Sequence, residues 1–383
     1  MILSVVIVNF NVKYFLEQCL CSLKKAVDRS LLLSANTEVF IVDNASTDGS
    51  VAFLQPLYPD FHFIQNTENS GFAKGNNQVL PACTGECVLF LNPDTILAED
   101  CLDLCIRFFQ SNPDAGAAGV RMIDGSGRFL KESKRGFPDP RAAFFKMTGL
   151  AGVFPRSRLF AAYHAGHLDP HSNHPVDILS GACMMVRREV LNKTGGFDER
   201  FFMYAEDIDL SYRIRKAGFQ NYYLASAGII HFKGESTRRD RRYVKQFHIA
   251  MNQFMKKYFR GSSVLLFIMT LAVNLKMRLG VIGLPFQKKT TRSRQNKSVS
   301  IKGDQQDSSA IRMALDKAGI HLMETEAAAD SVLFCAGGQK TIKSVIQDLE
   351  GSTQKRTCFI HCSGTHAIVG GSSGKEKGEI IFW

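Results

Sequence analysis

Polar residues stand at the ends of apolar runs in three places along this chain. Residues 3–8 run into Asn9, residues 39–42 into Asp43, and Gly85-Glu-Cys-Val-Leu-Phe-Leu-Asn-Pro-Asp94 delivers Asn92 and Asp94. Asn-Pro-Asp-Thr is also ordinary turn chemistry. Its recurrence after three apolar strands nonetheless points to a shared ligand edge, because open α/β sheets bind ligands beyond the carboxyl ends of their strands. An acid at such an end suits an ion rather than a core.

A second set follows Gly195: Glu206, Asp207 and Asp209 open a helix whose apolar positions are Ile208, Tyr212 and Ile214. Acids in a first turn gain up to about 1 kcal/mol from the helix dipole. Adjacent carboxylates also repel, which raises the pKa of one of them, as a general base requires. His231 closes the run 228–230. A lone histidine there is ordinarily structural, but imidazole would supply a further ligand to a metal held at Asp94.

These side chains need a scaffold. Residues 88–91 show no polar alternation, so they predict a central strand covered on both faces and ended by Pro93. A helical pattern at 12–26, a third strand at 61–65 and a third helix at 71–80 complete four strand–helix units by Asp94. That predicts a doubly wound, mostly parallel sheet. Capping residues in 44–50 precede a short helix. Residues 115–175 read as an irregular, substrate-facing excursion; 176–186 read as a strand, 187–193 as a helix, and 222–224 and 228–230 as two short strands.

The turn after the first strand is Asn9-Phe10-Asn11 rather than G-x-G-x-x-G, which disfavours a dehydrogenase. Gly370-Gly-Ser-Ser-Gly-Lys375 is a residue short of a P-loop and is followed by Glu376, so it reads as a flexible loop.

With 45% hydrophobic and 22% charged residues, the 383-residue chain can bury one large domain and something smaller. Its ten cysteines contain no C-x-x-C pair and read as reduced core thiols of a cytoplasmic protein. Residues 1–8 lack a basic leader and a cleavage site, which predicts a first strand rather than a secretory signal. The net charge of +11 is regional: from Lys233 to Lys302, 17 Lys and Arg face only Glu235 and Asp240, and the remainder is net acidic. Nucleic acid is therefore not an expected partner.

The apolar run 264–275 lies inside that basic region. It is too short for the roughly 20 apolar residues of a membrane span. Lys256, Lys257 and Arg260 before it and Lys288, Lys289, Arg292 and Arg294 after it would attract an anionic leaflet at about 1 kcal/mol per residue. The run reads either as a helix docked on the core of the large domain or as a membrane-surface helix; its basic flanks lead us to expect peripheral attachment to the inner face of a membrane. Residues 288–307 read as a linker, and helix 309–318, strand 331–335, helix 341–349 and strand 357–362 as a small α/β unit. The expected division is 1–260 catalytic, 261–294 basic and apolar, and 295–383 linker and small unit.

Taken together, the chain resembles the family 2 glycosyltransferases, within them the rhamnosyltransferase-like group. The matching pieces are Ser4-Val-Val-Ile-Val-Asn-Phe-Asn11, Val42-Asp-Asn-Ala-Ser-Thr-Asp-Gly-Ser50, Asn69-Ser-Gly-Phe-Ala-Lys-Gly-Asn-Asn77, Phe90-Leu-Asn-Pro-Asp94, Leu179-Ser-Gly-Ala182, and Gly196-Phe-Asp-Glu199 through Glu206-Asp-Ile-Asp-Leu210. Each is weak singly, but they occur in order across about two thirds of the chain.

The resemblance implies a GT-A fold and inverting transfer from a UDP- or dTDP-linked sugar to a hydroxyl of a cell-envelope glycan or lipid-linked acceptor, with a divalent cation, Mg²⁺ or Mn²⁺. In that scheme Asp43, with Asn44 beside it, reads the nucleobase, while Val8, Asn9, Phe10 and Asn76 flank the nucleotide. Asp94 matches the last carboxylate of D-x-D, His231 the later histidine near the same metal, and Asp207 the catalytic base, with Glu206 adjoining it. The first acid of D-x-D is Asn92 here, so one carboxylate holds the metal and the cation is shared with phosphates rather than caged by protein. Two other readings are a nucleotidyltransferase, which would need a Gly-rich basic loop in place of Asn9-Phe10-Asn11, and a non-catalytic nucleotide-sugar sensor, which Asp207 disfavours.

Overall fold

A computed structural model describes residues 1–139, 141, 145, 149–235, 241–259, 297–304, 306–352, 357–371 and 378–383. The apolar run 264–275, the basic residues 260–294 and residues 372–377 of the Gly-rich loop lie outside the described residues.

Nine strands form the first sheet. They are β1 (Leu3–Asn9), β2 (Thr37–Asp43), β3 (His62–Gln65), β4 (Cys87–Leu91), β5 (Thr95–Leu97), β6 (Ala115–Ile123), β7 (His174–Val176), β8 (Cys183–Arg187) and β9 (Gln220–His231). Their order is β3-β2-β1-β4-β8-β6-β9-β5, with β7 also on β9. The first four are parallel, as the strand–helix alternation predicts. Beyond them β8 runs antiparallel to both β4 and β6, and β6 runs parallel to β9.

The uninterrupted apolar runs are explained by burial on both faces. Leu3, Val5 and Ile7 of β1 and Leu89 and Leu91 of β4 join the core under helices Lys13–Asp28 and Cys101–Ser111. Val6, Val8, Val88 and Phe90 join the opposite core with Leu210 and Ile214 of helix Glu206–Lys216.

Three expectations are corrected. Residues 115–123 are not irregular: β6 is buried along its whole length. Glycine is required at 116, where a Cβ would lie 2.5 Å from the Phe219 Cβ, while one at Gly119 would press to 3.0 Å on the tip of the Leu179 side chain. The two short strands at 222–230 are one strand, β9, in which the pairing with β6 jumps from Leu224 to Gly228 and leaves a bulge. The single strand expected over 176–186 is interrupted, because residues 177–182 leave the sheet between β7 and β8, with Ile178 bridging to Arg135 instead.

The second sheet has order β11-β10-β12-β13-β14-β15, built from β10 (Lys297–Gly303), β11 (Ile320–Leu322), β12 (Ser331–Ala336), β13 (Thr357–Cys362), β14 (Ala367–Gly370) and β15 (Glu379–Phe382). Composition reads Lys297–Gly303 as linker, but it is an inner strand with Val299 and Ser300 buried. The two sheets share a core: Phe334, Ile342, Val345 and Leu349 cluster with Leu16, Leu20, Leu97 and Ile229.

Polar contacts reinforce that junction. The buried Glu99 carboxylate accepts from the N–H groups of Ile342 (2.6 Å) and Lys343 (3.1 Å), capping helix Ile342–Gly351. Gln18 bonds Thr365, Ala367 and Cys362 (each 2.8 Å), and Arg121 pairs with Glu350 (2.6 Å). All ten cysteines are free and buried. Among the described residues no helix is long and apolar enough to cross a membrane.

Candidate active site

The carboxyl ends of β1, β2 and β4 open onto a pocket of about 290 Å³. Eight of the residues singled out from sequence line it: Val8, Phe10, Asn44, Asn92, Asp94, Glu206, Asp207 and His231.

Register brings Asp94 to His231. Pro93 ends β4, the chain turns into β5, and β5 pairs with the end of β9 so that Thr95 faces His231. His231 Nε2 then lies 3.3 Å from Asp94 Oδ1. Burial pushes the Asp94 carboxyl up, but His231, by charge and hydrogen bond, together with the backbone N–H groups of Asp94 and Glu235, holds the group below its ordinary range. Among the described residues, Asn92 Oδ1 and His231 Nδ1 are buried without a hydrogen-bond partner, and Asp94 Oδ1 meets only the His231 imidazole, at 3.3 Å and in poor hydrogen-bond alignment. Orphaned oxygens of this kind fit a hard divalent cation. The described residues hold no group of three or more His, Cys, Asp or Glu able to bind a metal, so water and substrate oxygens would have to complete its coordination.

The carboxylates at the start of helix Glu206–Lys216 divide by environment. Asp209 is fully buried and structural: it pairs with Arg213 (2.7 Å), and Lys257 and Tyr258 of helix Arg241–Tyr258 reach its other oxygen. Asp207 is partly buried. Its Oδ2 accepts from Arg135 Nη2 (2.6 Å) and the Gly181 N–H (3.2 Å), and its Oδ1 from the Ile208 N–H (2.8 Å). Three donors on a carboxylate with about four acceptor sites leave one for a substrate hydroxyl.

Glu206 has no guanidinium hydrogen bond among the described residues. Its Oε2 is buried without a partner there, and burial, followed by the charge of Asp207, pushes its pKa up to about 8 against the opposing pull of its own backbone N–H and Arg135. Just before the pair, Tyr204 (φ 74°) and Ala205 (φ 67°) both adopt the left-handed conformation, a strain of about 1–3 kcal/mol each of the kind found at functional sites.

Three predicted residues lie off the pocket lining. Asn9 Nδ2 donates to Asp43 Oδ1 (2.7 Å), and Asp43 Oδ2 accepts from the Ser46 N–H (2.8 Å), so the pair shapes the turn after β2. Asn76 Nδ2 donates to the Phe72 carbonyl (2.9 Å) within its own helix. Asn44 does line the pocket and bridges its loops, donating to the Gly71 carbonyl (3.1 Å) and accepting from Asn66 (2.9 Å).

Sequence reasoning missed Glu132 and Arg135, and gave no site role to Gly181, quoted within Leu179-Ser-Gly-Ala182, or to Lys233, counted in the basic region. The first three fall in residues read as an excursion or as strand. The charge run Lys131-Glu-Ser-Lys-Arg135 between apolar segments was the available signal.

Fold and site define a class: an α/β protein with a pocket that joins oxygen donors suited to a cation with a pair of carboxylates of unlike environment. The family profile described as "Glycosyl transferase family 2" matches residues 4–195, and the chain belongs to that family and has its GT-A fold. It is 33% identical over 252 residues to the N-acetylglucosaminyl-diphospho-decaprenol L-rhamnosyltransferase of Mycobacterium tuberculosis, covering 62% of this chain and 78% of that one. It is 28% identical over 218 residues to the low-salt glycan biosynthesis hexosyltransferase Agl10 of Haloferax volcanii, covering 56% of this chain and 62% of that one. Among solved structures, the mannosyltransferase PcManGT from Pyrobaculum calidifontis in complex with GDP-Man and Mn²⁺ superposes with a TM-score of 0.46 at 20% identity, over 73% of this chain and 70% of that one.

Proposed function

We propose that this glycosyltransferase moves a sugar, with inversion, from a UDP- or dTDP-linked donor to a hydroxyl of a lipid-linked or cell-envelope glycan. One observation carries the proposal: Asp94 and His231 at the strand ends and Glu206 and Asp207 at a helix start line a single pocket. The mycobacterial relative, by its name, acts on a saccharide linked through diphosphate to a polyprenol, which supports the acceptor class. Family membership leaves the sensor and nucleotidyltransferase readings without support.

Val8, Phe10 and Asn44 form the floor against which the nucleoside lies, with Asp43 behind them as the group that reads the base. Mg²⁺ or Mn²⁺ would be held by Asp94, His231 and the amide oxygen of Asn92, where it would neutralise the charge of the departing diphosphate. Asp207 accepts the proton of the acceptor hydroxyl as that oxygen attacks the anomeric carbon, and Arg135 and Gly181 fix its orientation. The basic region 233–302 supports peripheral attachment at an anionic inner membrane face, where a lipid-linked acceptor resides.

The test is a screen of nucleotide sugars for transfer and slow hydrolysis. Asp207→Asn should keep nucleoside diphosphate affinity and lose transfer by about 10²–10⁴-fold, as when a positioned base is removed at constant shape. Transfer that survives in Asp207→Asn would move the base elsewhere.

A further inference from the structure

The pocket that receives a diphosphate is lined by four acids, Asp94, Glu132, Glu206 and Asp207. Against them, among the described lining residues, stand His231 and one permanent cation, Lys233. Lys233 sits at φ 49°, a strained conformation for a side chain with a Cβ, directly before Gly234 at φ 93°. In this structure its ammonium is paired with Glu132.

Glu132 is rigidly placed. It occupies the short turn Lys131–Ser133, where the buried Ser133 hydroxyl donates to the Leu130 carbonyl (2.6 Å) and accepts from the Met122 N–H (3.1 Å). Burial pushes its carboxyl up, but the charge and hydrogen bond of Lys233, followed by its own backbone N–H and then His231, hold it below the ordinary range. An acid fixed on the wall of an anion pocket, with a lining lysine as its partner, has the arrangement of an exchangeable counter-ion. A diphosphate offers that lysine more charge and more acceptor oxygens than one carboxylate does.

We propose that Lys233 is a ligand of the donor's diphosphate and that Glu132 is the counter-ion it leaves when the donor enters. The proposal rests on the reading of the donor as a nucleoside diphosphate sugar. Glu132 thereby opposes binding of any diphosphate and keeps Lys233 oriented while the pocket is free.

Calorimetry with UDP, dTDP and inorganic pyrophosphate, with and without Mn²⁺, tests this on the full chain. Lys233→Met should weaken all three without metal by about ten- to a hundredfold, the worth of a charge-assisted hydrogen bond, and Lys233→Arg should retain most of the affinity. Glu132→Gln should tighten pyrophosphate binding, an effect opposite in sign to that of damaging a structural ion pair. Thermal unfolding of each variant shows that the fold is kept. Weaker pyrophosphate binding in Glu132→Gln, or unchanged affinity in a folded Lys233→Met, overturns the proposal. A wild-type protein that binds none of the three removes the donor reading and this inference with it, whereas wild-type binding with unresponsive variants removes the inference alone.

Discussion

Replacing Glu206 by Gln should stabilise the protein at neutral pH while impairing its work. The carboxyl is buried with Oε2 unpaired, and its pKa lies at about 8 in the folded chain against 4.5 for the free group. Between those values the folded state holds a proton that the unfolded chain has released. The stability that depends on this proton is fully present below pH 4.5 and is lost as pH rises through about 8. At 1.36 kcal/mol per pH unit, the cost of keeping Glu206 amounts to about 3 kcal/mol at pH 7 and approaches about 5 kcal/mol above pH 8. Gln keeps the shape and does not titrate, so the variant should match the wild type near pH 4 and exceed it by these amounts at higher pH. Urea unfolding at pH 5, 6, 7 and 8 without nucleotide reads the difference directly. Parallel pH dependence in the two proteins, or a less stable variant at pH 8, would refute the reasoning. Transfer should fall less in Glu206→Gln than in Asp207→Asn; the reverse order would make Glu206 the base.

Three further outcomes follow from the same geometry. Asp94→Ala should abolish the enhancement of nucleoside diphosphate binding by Mn²⁺, because Asn92 alone brings no charge to the cation; calorimetry with full enhancement in the variant would displace the metal from this strand end. Glu99→Ala strands the buried N–H of Ile342 and should cost about 1–3 kcal/mol, seen as a lower Tm in one cooperative transition because the two sheets share a core. A separate melt of the second sheet would contradict that. Flotation should show binding to anionic liposomes that weakens with salt and is absent on neutral ones, and indifference to lipid charge would leave the basic region without a membrane role.

Much of the site was legible because its signals are local. An apolar run that stops at a polar tip marks a strand end without knowledge of its neighbours, so Asn92, Asp94 and His231, and the acids opening helix Glu206–Lys216, could be named from sequence. The parallel half of the first sheet was readable for the same reason. Strand β6 was not, since Ala and Gly have low strand propensity and become correct only where Phe219 and Leu179 press against the backbone. Nor was β10, whose polar alternation resembles a linker until its neighbours cover it.

The charge partners were out of reach altogether. Arg135 lies 72 residues from Asp207, and Glu132 101 from Lys233. No spacing rule connects such positions. Glu206 and Asp207 are adjacent acids at the head of one helix, and only the family resemblance, not their spacing or composition, told them apart in sequence. The fold sends a guanidinium to Asp207 and leaves Glu206 buried beside a fixed negative charge, and burial acts on a carboxyl only through what surrounds it in three dimensions.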